Sequence, residues 1–170
     1  MATFAERMVG AARLEVRVYE EVEADPTAMG QAMGVVVLSS IAAGLGSGVG
    51  VGMGTLLIGA IGALVGWFIW AFLTYFIGTK LLPQSQTEAD LGQLLRTIGF
   101  SSSPGLLRVF GVVPTLGGLV VLVAEIWMLA AMVVAVRQAL DYTSTWRAIG
   151  VCVVGWIVLV VISAVIFGLG

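Results

Sequence analysis

The sequence predicts an all-α integral membrane protein: a polytopic bundle of five transmembrane helices, the third short and broken, behind an N-terminal amphipathic helix. Three observations predict it. Of the 170 residues, 59% are hydrophobic and only 11% charged, with mean hydropathy +1.08, against roughly 45–50% and about 25% in soluble domains. No charged side chain lies between Asp25 and Lys80, an interval of 54 residues, and one helical crossing needs about 20 apolar residues. The last 23 residues, 148–170, are uncharged as well.

The same composition narrows the function classes. Net charge is −2, so no basic field points to nucleic acid. Cys152 is the one cysteine and histidine is absent, which removes a disulfide framework, a thiolate metal cage and the commonest general base. No metal or cofactor is expected, and the chain does not read as an enzyme. The first 25 residues lack the roughly 7–15-residue apolar core of a secretory signal. The chain is therefore expected to insert by its own first span and keep its N-terminus.

Residues 4–23 read as one amphipathic helix. At roughly 100° per residue, Phe4, Met8, Ala11, Ala12, Val18, Tyr19 and Val22 share a face, with Glu6, Gly10, Arg13, Arg17 and Glu21 opposite. Such a helix lies in the headgroup plane or against the bundle. Glu15 falls on the apolar face, which local patterning does not explain. Asp25-Pro26 reads as an N-cap followed by proline in the first turn, and the first span follows from about Ala28. Glycines at every second position from Gly44 to Gly54 suit a turn, or a stretch where another backbone comes close. No phosphate-loop spacing fits them.

A second span covers about Leu56 to Ile77, and its Gly59, Gly62 and Gly66 suit close helix approach in lipid. After a polar connection, Thr87-Glu88-Ala89-Asp90 resembles a capping box opening a short amphipathic helix to about Phe100. Ser101 to Pro104 start another helical stretch that ends by Pro114 and contains Arg108. With no histidine or nearby lysine to activate these serines, capping is their expected role. A fourth span, about Leu116 to Val136, carries Glu125, and a fifth runs through 148–170. Trp127 and Trp156 sit mid-span, away from the interfacial belt, and are expected to pack inside the bundle.

Charge placement sets the topology. If the weak third segment crosses, Arg7, Arg13, Arg17, Lys80, Arg96, Arg137 and Arg147 all face the cytoplasm and the outer loops hold no lysine or arginine, as the positive-inside rule requires. Residues 1–25 are thus expected to form a cytoplasmic amphipathic helix and 26–170 a five-span membrane domain. The N-terminus lies inside and the C-terminus outside the cytoplasmic (inner) membrane.

These segments resemble a bacterial member of the Yip1 family. The resemblance rests on Tyr19-Glu20-Glu21-Val22-Glu23-Ala24-Asp25 before the first span and Trp70-Ala71-Phe72-Leu73-Thr74-Tyr75-Phe76-Ile77-Gly78 closing the second. It rests also on Arg96-Thr97-Ile98-Gly99-Phe100 leading to Pro104-Gly105-Leu106, and on Ala135-Val136-Arg137-Gln138-Ala139-Leu140-Asp141 leading to Thr145-Trp146-Arg147-Ala148. It implies a membrane scaffold or adaptor. Eukaryotic relatives associate with Rab GTPases, but the Asp-Leu-Tyr-Gly-Pro motif that accompanies that role is missing here.

Two classes of function remain: a scaffold or accessory subunit of a membrane assembly, and a small oligomeric transporter or channel using the intramembrane charges. The expected partners are membrane lipids and a protein or second copy within the membrane. Tyr19, Glu20, Glu23 and Asp25 are candidates for partner contact, or else cap the first span. Arg137, Asp141 and Arg147 are candidates for lipid headgroups, with Arg137 and Asp141 spaced to pair on one helix. Arg108 and Glu125 are expected at equal depth, ~10 Å below the outer surface, as a buried ion pair pinning the third span to the fourth.

Overall fold

The computed structural model describes residues 2–48 and 51–168, which form helices and no strand. Helices α1 (Phe4–Ala12) and α2 (Val16–Ala24) form a hairpin. A 3-10 turn, Pro26–Ala28, leads into α3 (Met29–Gly46), and α4 (Met53–Phe76) ends in a π-helical turn, Ile77–Leu81. Then come α5 (Leu91–Ser101), a 3-10 segment (Ser103–Val112), α6 (Gly117–Ala139) and α7 (Thr145–Gly168). Among the described residues four helices are long and apolar enough to cross a membrane: Pro26–Gly46, Met53–Leu81, Gly117–Ala139 and Thr145–Val165. The end of the expected fifth span, 169–170, lies outside the described residues.

The third expected crossing is built differently. Eleven α-helical residues in α5 and ten 3-10 residues together extend ~36 Å. They run alongside α3 and in its direction: Gly92 lies by Met29, Gly99 against Ala32, Gly105 against Ser39, and Gly111 against Gly46. The segment therefore covers the full length of α3. The 3-10 form explains how so few residues reach so far, since each rises about 2.0 Å rather than 1.5 Å.

The expected single helix over 4–23 is two. Leu14 takes a left-handed φ of 61°, and the Glu15 amide donates to the Gly10 carbonyl at 3.0 Å. A non-glycine residue there costs about 1–2 kcal/mol, offset by what the fold-back buries. Tyr19 is fully buried and donates its hydroxyl to the Ala11 carbonyl at 3.0 Å. Gly10, expected on the polar face, is buried where a Cβ would strike Val18. Glu15, anomalous on a continuous helix, sits at the N-cap position of α2. Ala11, Val18, Tyr19 and Val22 share a core with Ala32 and Val35 of α3, Phe100 of α5 and Ala135 of α6, so the hairpin lies against the bundle.

Other boundaries shift for local reasons. Asp25 caps the 3-10 turn, accepting from the Thr27 amide at 2.9 Å, with Pro26 in the first turn. Gly44, Gly46 and Gly54 belong to helices rather than the connection, and Gly50 lies outside the described residues. The capping box is Asp90 with Gln93, not Thr87 with Asp90: the Gln93 amide donates to Asp90 Oδ1 at 2.9 Å, while Thr87 Oγ1 takes the Gln84 amide. Gly62 and Gly66 approach no other helix, having nothing within 4 Å of where a side chain would begin. Ser101 and Ser103 do not cap a following helix. Their hydroxyls bond back to the carbonyls of Ile98 and Phe100, both at 2.7 Å. Trp156 is 63% exposed and faces outward. Trp127, also at the surface, donates to the Ala12 carbonyl at 2.7 Å, so the hairpin tip reaches the middle of α6.

Candidate functional site

Arg108 is the best-held polar group inside the bundle. Its guanidinium donates to Glu125 Oε1 at 3.0 Å, to the Ser39 carbonyl at 3.0 Å, to Ser39 Oγ at 2.7 Å and to the Gly105 carbonyl at 3.2 Å. Three elements converge there: α3 through Ser39, the 3-10 segment through Gly105 and Arg108 itself, and α6 through Glu125. The 3-10 geometry makes this possible, because i and i+3 side chains stack and Arg108 folds over Gly105. The pair is not buried from both sides. Arg108 is mostly enclosed, whereas the Glu125 side chain is 49% exposed.

Beside Arg108 lies a cavity of about 370 Å³ between α3, α4, the 3-10 segment and α6. Ser39, Ser40 and Ser102 give it a polar end with Arg108, and Trp67, Trp70, Met128 and Met132 form apolar walls. Trp67 is fixed by an indole N–H to the Leu95 carbonyl at 3.0 Å, and Trp70 by one to Met132 Sδ at 3.1 Å.

The remaining candidate residues gather at the opposite end of the bundle. Asp25 is engaged by Arg7 at 2.8 Å, and the same guanidinium meets Glu21 and Gln31 at 2.9–3.2 Å and is only 2% exposed. This network ties α1 to α2 and to the start of α3. Bonds from Thr27 and Arg7 hold the Asp25 carboxyl below its ordinary range, and a bond from Arg7 does the same for Glu21. Tyr19 is enclosed and offers no surface to a partner. Glu20 accepts from Gln138 at 3.2 Å. Glu23 is drawn between α2 and the 140–144 turn; burial first, then the Asp141 carboxylate, pushes its carboxyl up to about 7.

Arg137 and Asp141 do not pair. Helix α6 stops at Ala139 and Asp141 adopts a left-handed φ of 52°, so four-residue spacing no longer places them on one face. Arg137 instead donates to the Tyr142 carbonyl at 3.2 Å and to Thr145 Oγ1 at 3.2 Å, closing the turn. Arg147 donates to the Pro83 carbonyl at 3.2 Å. Arg96 donates to the carbonyls of Val22, at 2.9 Å, and Glu23. Arg96 thus satisfies carbonyls left over in the last turn of α2, while Arg137 and Arg147 bond to carbonyls of the connections before α7 and after the π-helical turn.

Arg7 and Arg96 are the polar anchors that patterning along the chain misses. Their partners lie 14 to 74 residues away. The one signal was Glu15, whose misfit on a continuous helix marks the break that brings Arg7 to Glu21.

The charged anchors at one end, the short third segment and the four long apolar helices converge on one comparison. A family model described as Yip1 domain matches residues 17–166. The chain belongs to the Yip1 domain family. No curated protein and no solved structure matches it significantly. The match begins within α2 and ends within α7. The Yip1 domain here thus includes the second arm of the hairpin, the Arg96 anchor, the Arg108 cluster and the serine-lined cavity.

Proposed function

We propose that this Yip1 domain protein is a non-enzymatic scaffold or adaptor, an accessory subunit holding a partner within the cytoplasmic membrane. Five crossings put the open end of the hairpin and its basic neighbours on the cytoplasmic side and the C-terminus outside. One observation carries the reading: a carboxylate held by Arg108 is half exposed on the lateral face of α6 at span depth. Gly118, Leu122, Glu125 and Leu129 form one exposed stripe by helical spacing. An ionised group facing hydrocarbon costs at least ~2.5–3.5 kcal/mol. Arg108 occupies one carboxylate oxygen, and a partner helix offering a hydroxyl, amide or cationic group would satisfy the other.

Affinity purification from native membranes in mild detergent, with mass spectrometry of what co-purifies, tests this. A stoichiometric membrane partner lost on Glu125→Gln, with the fold kept, supports the reading. Clean homo-oligomers giving ion or solute flux in liposomes, abolished by the same substitution, would replace it with the transporter reading.

A further inference from the structure

We infer that the cavity beside Arg108 is a binding site for an uncharged, small-headed membrane lipid, of the chemical class of a diacylglycerol or long-chain alcohol. The site lies apart from the partner face on α6, since Glu125 does not line it, and the two share only Arg108.

Three features carry the inference. The first is access. Trp70 and Met132 close the cavity at its lower edge, and toward the outer end Ala63 and Gly66 of α4 stand across it from Met128 of α6. Gly66 has no neighbour within 4 Å of where its side chain would begin. The gap thus opens sideways between two membrane helices, where the solvent is lipid.

The second is charge. Arg108 is the one charged side chain lining the cavity, and Glu125 at 3.0 Å offsets it, with three further bonds running to Ser39 and Gly105. A full negative headgroup would have to displace Glu125, and a cation would meet Arg108. A neutral head meets neither cost.

The third is hydrogen-bonding capacity. Ser40 and Ser102 both line the cavity. In hydrocarbon a free hydroxyl lacks the partners water would supply. Two serines on the lining offer hydroxyls to a head bearing an alcohol or ester oxygen. Trp67, Trp70 and Met128 then offer aromatic and thioether surface to one chain, and about 370 Å³ lies within the usual range of roughly 300–1,000 Å³ for a ligand pocket.

The test is photolabelling of the full-length protein in nanodiscs, comparing a diazirine-bearing diacylglycerol with a diazirine-bearing phosphatidylglycerol. Peptide mapping should place the diacylglycerol adduct on Trp67, Met128 or their neighbours. Gly66→Leu fills the cavity from an open position without disturbing packing and should abolish that adduct. Gly62→Leu, equally open but not lining the cavity, should leave it unchanged. Ser40→Ala with Ser102→Ala should weaken labelling roughly tenfold, the worth of one to two hydrogen bonds. Stronger labelling of the cavity by the anionic probe would overturn the inference. So would an adduct that survives Gly66→Leu, one mapping only to outward residues such as Trp156, or a co-purified protein segment cross-linked in its place. Failure of the partner experiment on Glu125 leaves all these outcomes readable.

Discussion

The Cα of Gly46, in the last turn of α3, rests on the backbone carbonyl of Arg108. A Cβ at Gly46 would fall on that oxygen and crowd the Gly111 amide. Two main chains meet here with no side chain between them. The contact fixes the height of Arg108 against α3 and hence its reach to Ser39 and Glu125.

Gly46→Ala should therefore cost several kcal/mol, because backbone rather than a flexible side chain must give way. Gly52→Ala, with nothing within 4 Å, is the control and should leave thermal stability in detergent nearly unchanged. Equal melting temperatures for the two variants would refute the packing role of Gly46.

Breaking the Arg108–Glu125 pair from either side should be costly. Arg108→Ala is expected to be the worse, since it also strands Ser39 and Gly105; with Glu125 half exposed the loss is that of hydrogen bonds to a charged group, about 1.5–3 kcal/mol. Glu125→Ala leaves Arg108 three other acceptors and should cost about half as much. The double variant should be milder than the sum, a coupling read from a thermal-unfolding cycle. Strict additivity would mean that the two groups do not stabilise each other.

Arg7 anchors the hairpin more tightly than its place near the N-terminus implies. Arg7→Met keeps the apolar stem but leaves Glu21 and Asp25 without their cation, at a cost of about 2–4 kcal/mol. Hydrogen exchange should rise throughout α1 and α2 while α6 stays protected. Unchanged protection in α2 would show the hairpin to be held by its apolar face alone.

Hairpin docking should also depend on pH, with opposite signs from neighbouring carboxyls at the C-terminal end of α2. Burial pushes the Glu23 carboxyl up to about 7 in the folded protein, against about 4.3 unfolded. Its contribution is complete below about 4.3, declines as pH rises between the two values, and is lost above about 7. Asp25 and Glu21 are shifted down, so their contribution is present at neutral pH and lost as pH falls below the ordinary carboxylate range. Protection of α2 should peak in mildly acidic solution, and Glu23→Gln should flatten the alkaline side only. A profile unaltered by Glu23→Gln would assign the pH dependence elsewhere.

The proposed orientation predicts that single cysteines at Ser47 and Thr115, in a Cys152→Ser background, react with an impermeant thiol reagent applied outside intact cells. A cysteine at Gln86 should react only after the cells are opened. The reverse pattern would invert the topology.

Composition and charge spacing sufficed for the class of protein, because both follow from the solvent: a chain in hydrocarbon must internalise its backbone hydrogen bonds and keep its charges at the ends. Four long apolar runs become α3, α4, α6 and α7 nearly where hydropathy puts them. Arg108 and Glu125 stand out along the chain as ionisable residues within apolar runs. Pairing among residues distant in sequence is what one-dimensional pattern cannot carry. The break at Leu14 depends on Tyr19 and Arg7 finding partners only after α2 turns back. The missing Arg137–Asp141 pair depends on α6 ending two residues short of Asp141. Trp127 looks like core along the chain, yet its indole N–H goes to a carbonyl 115 residues away. Periodicity reports which way a residue faces on its own helix; what stands opposite it is settled by how helices pack, and there the tertiary structure alone decides.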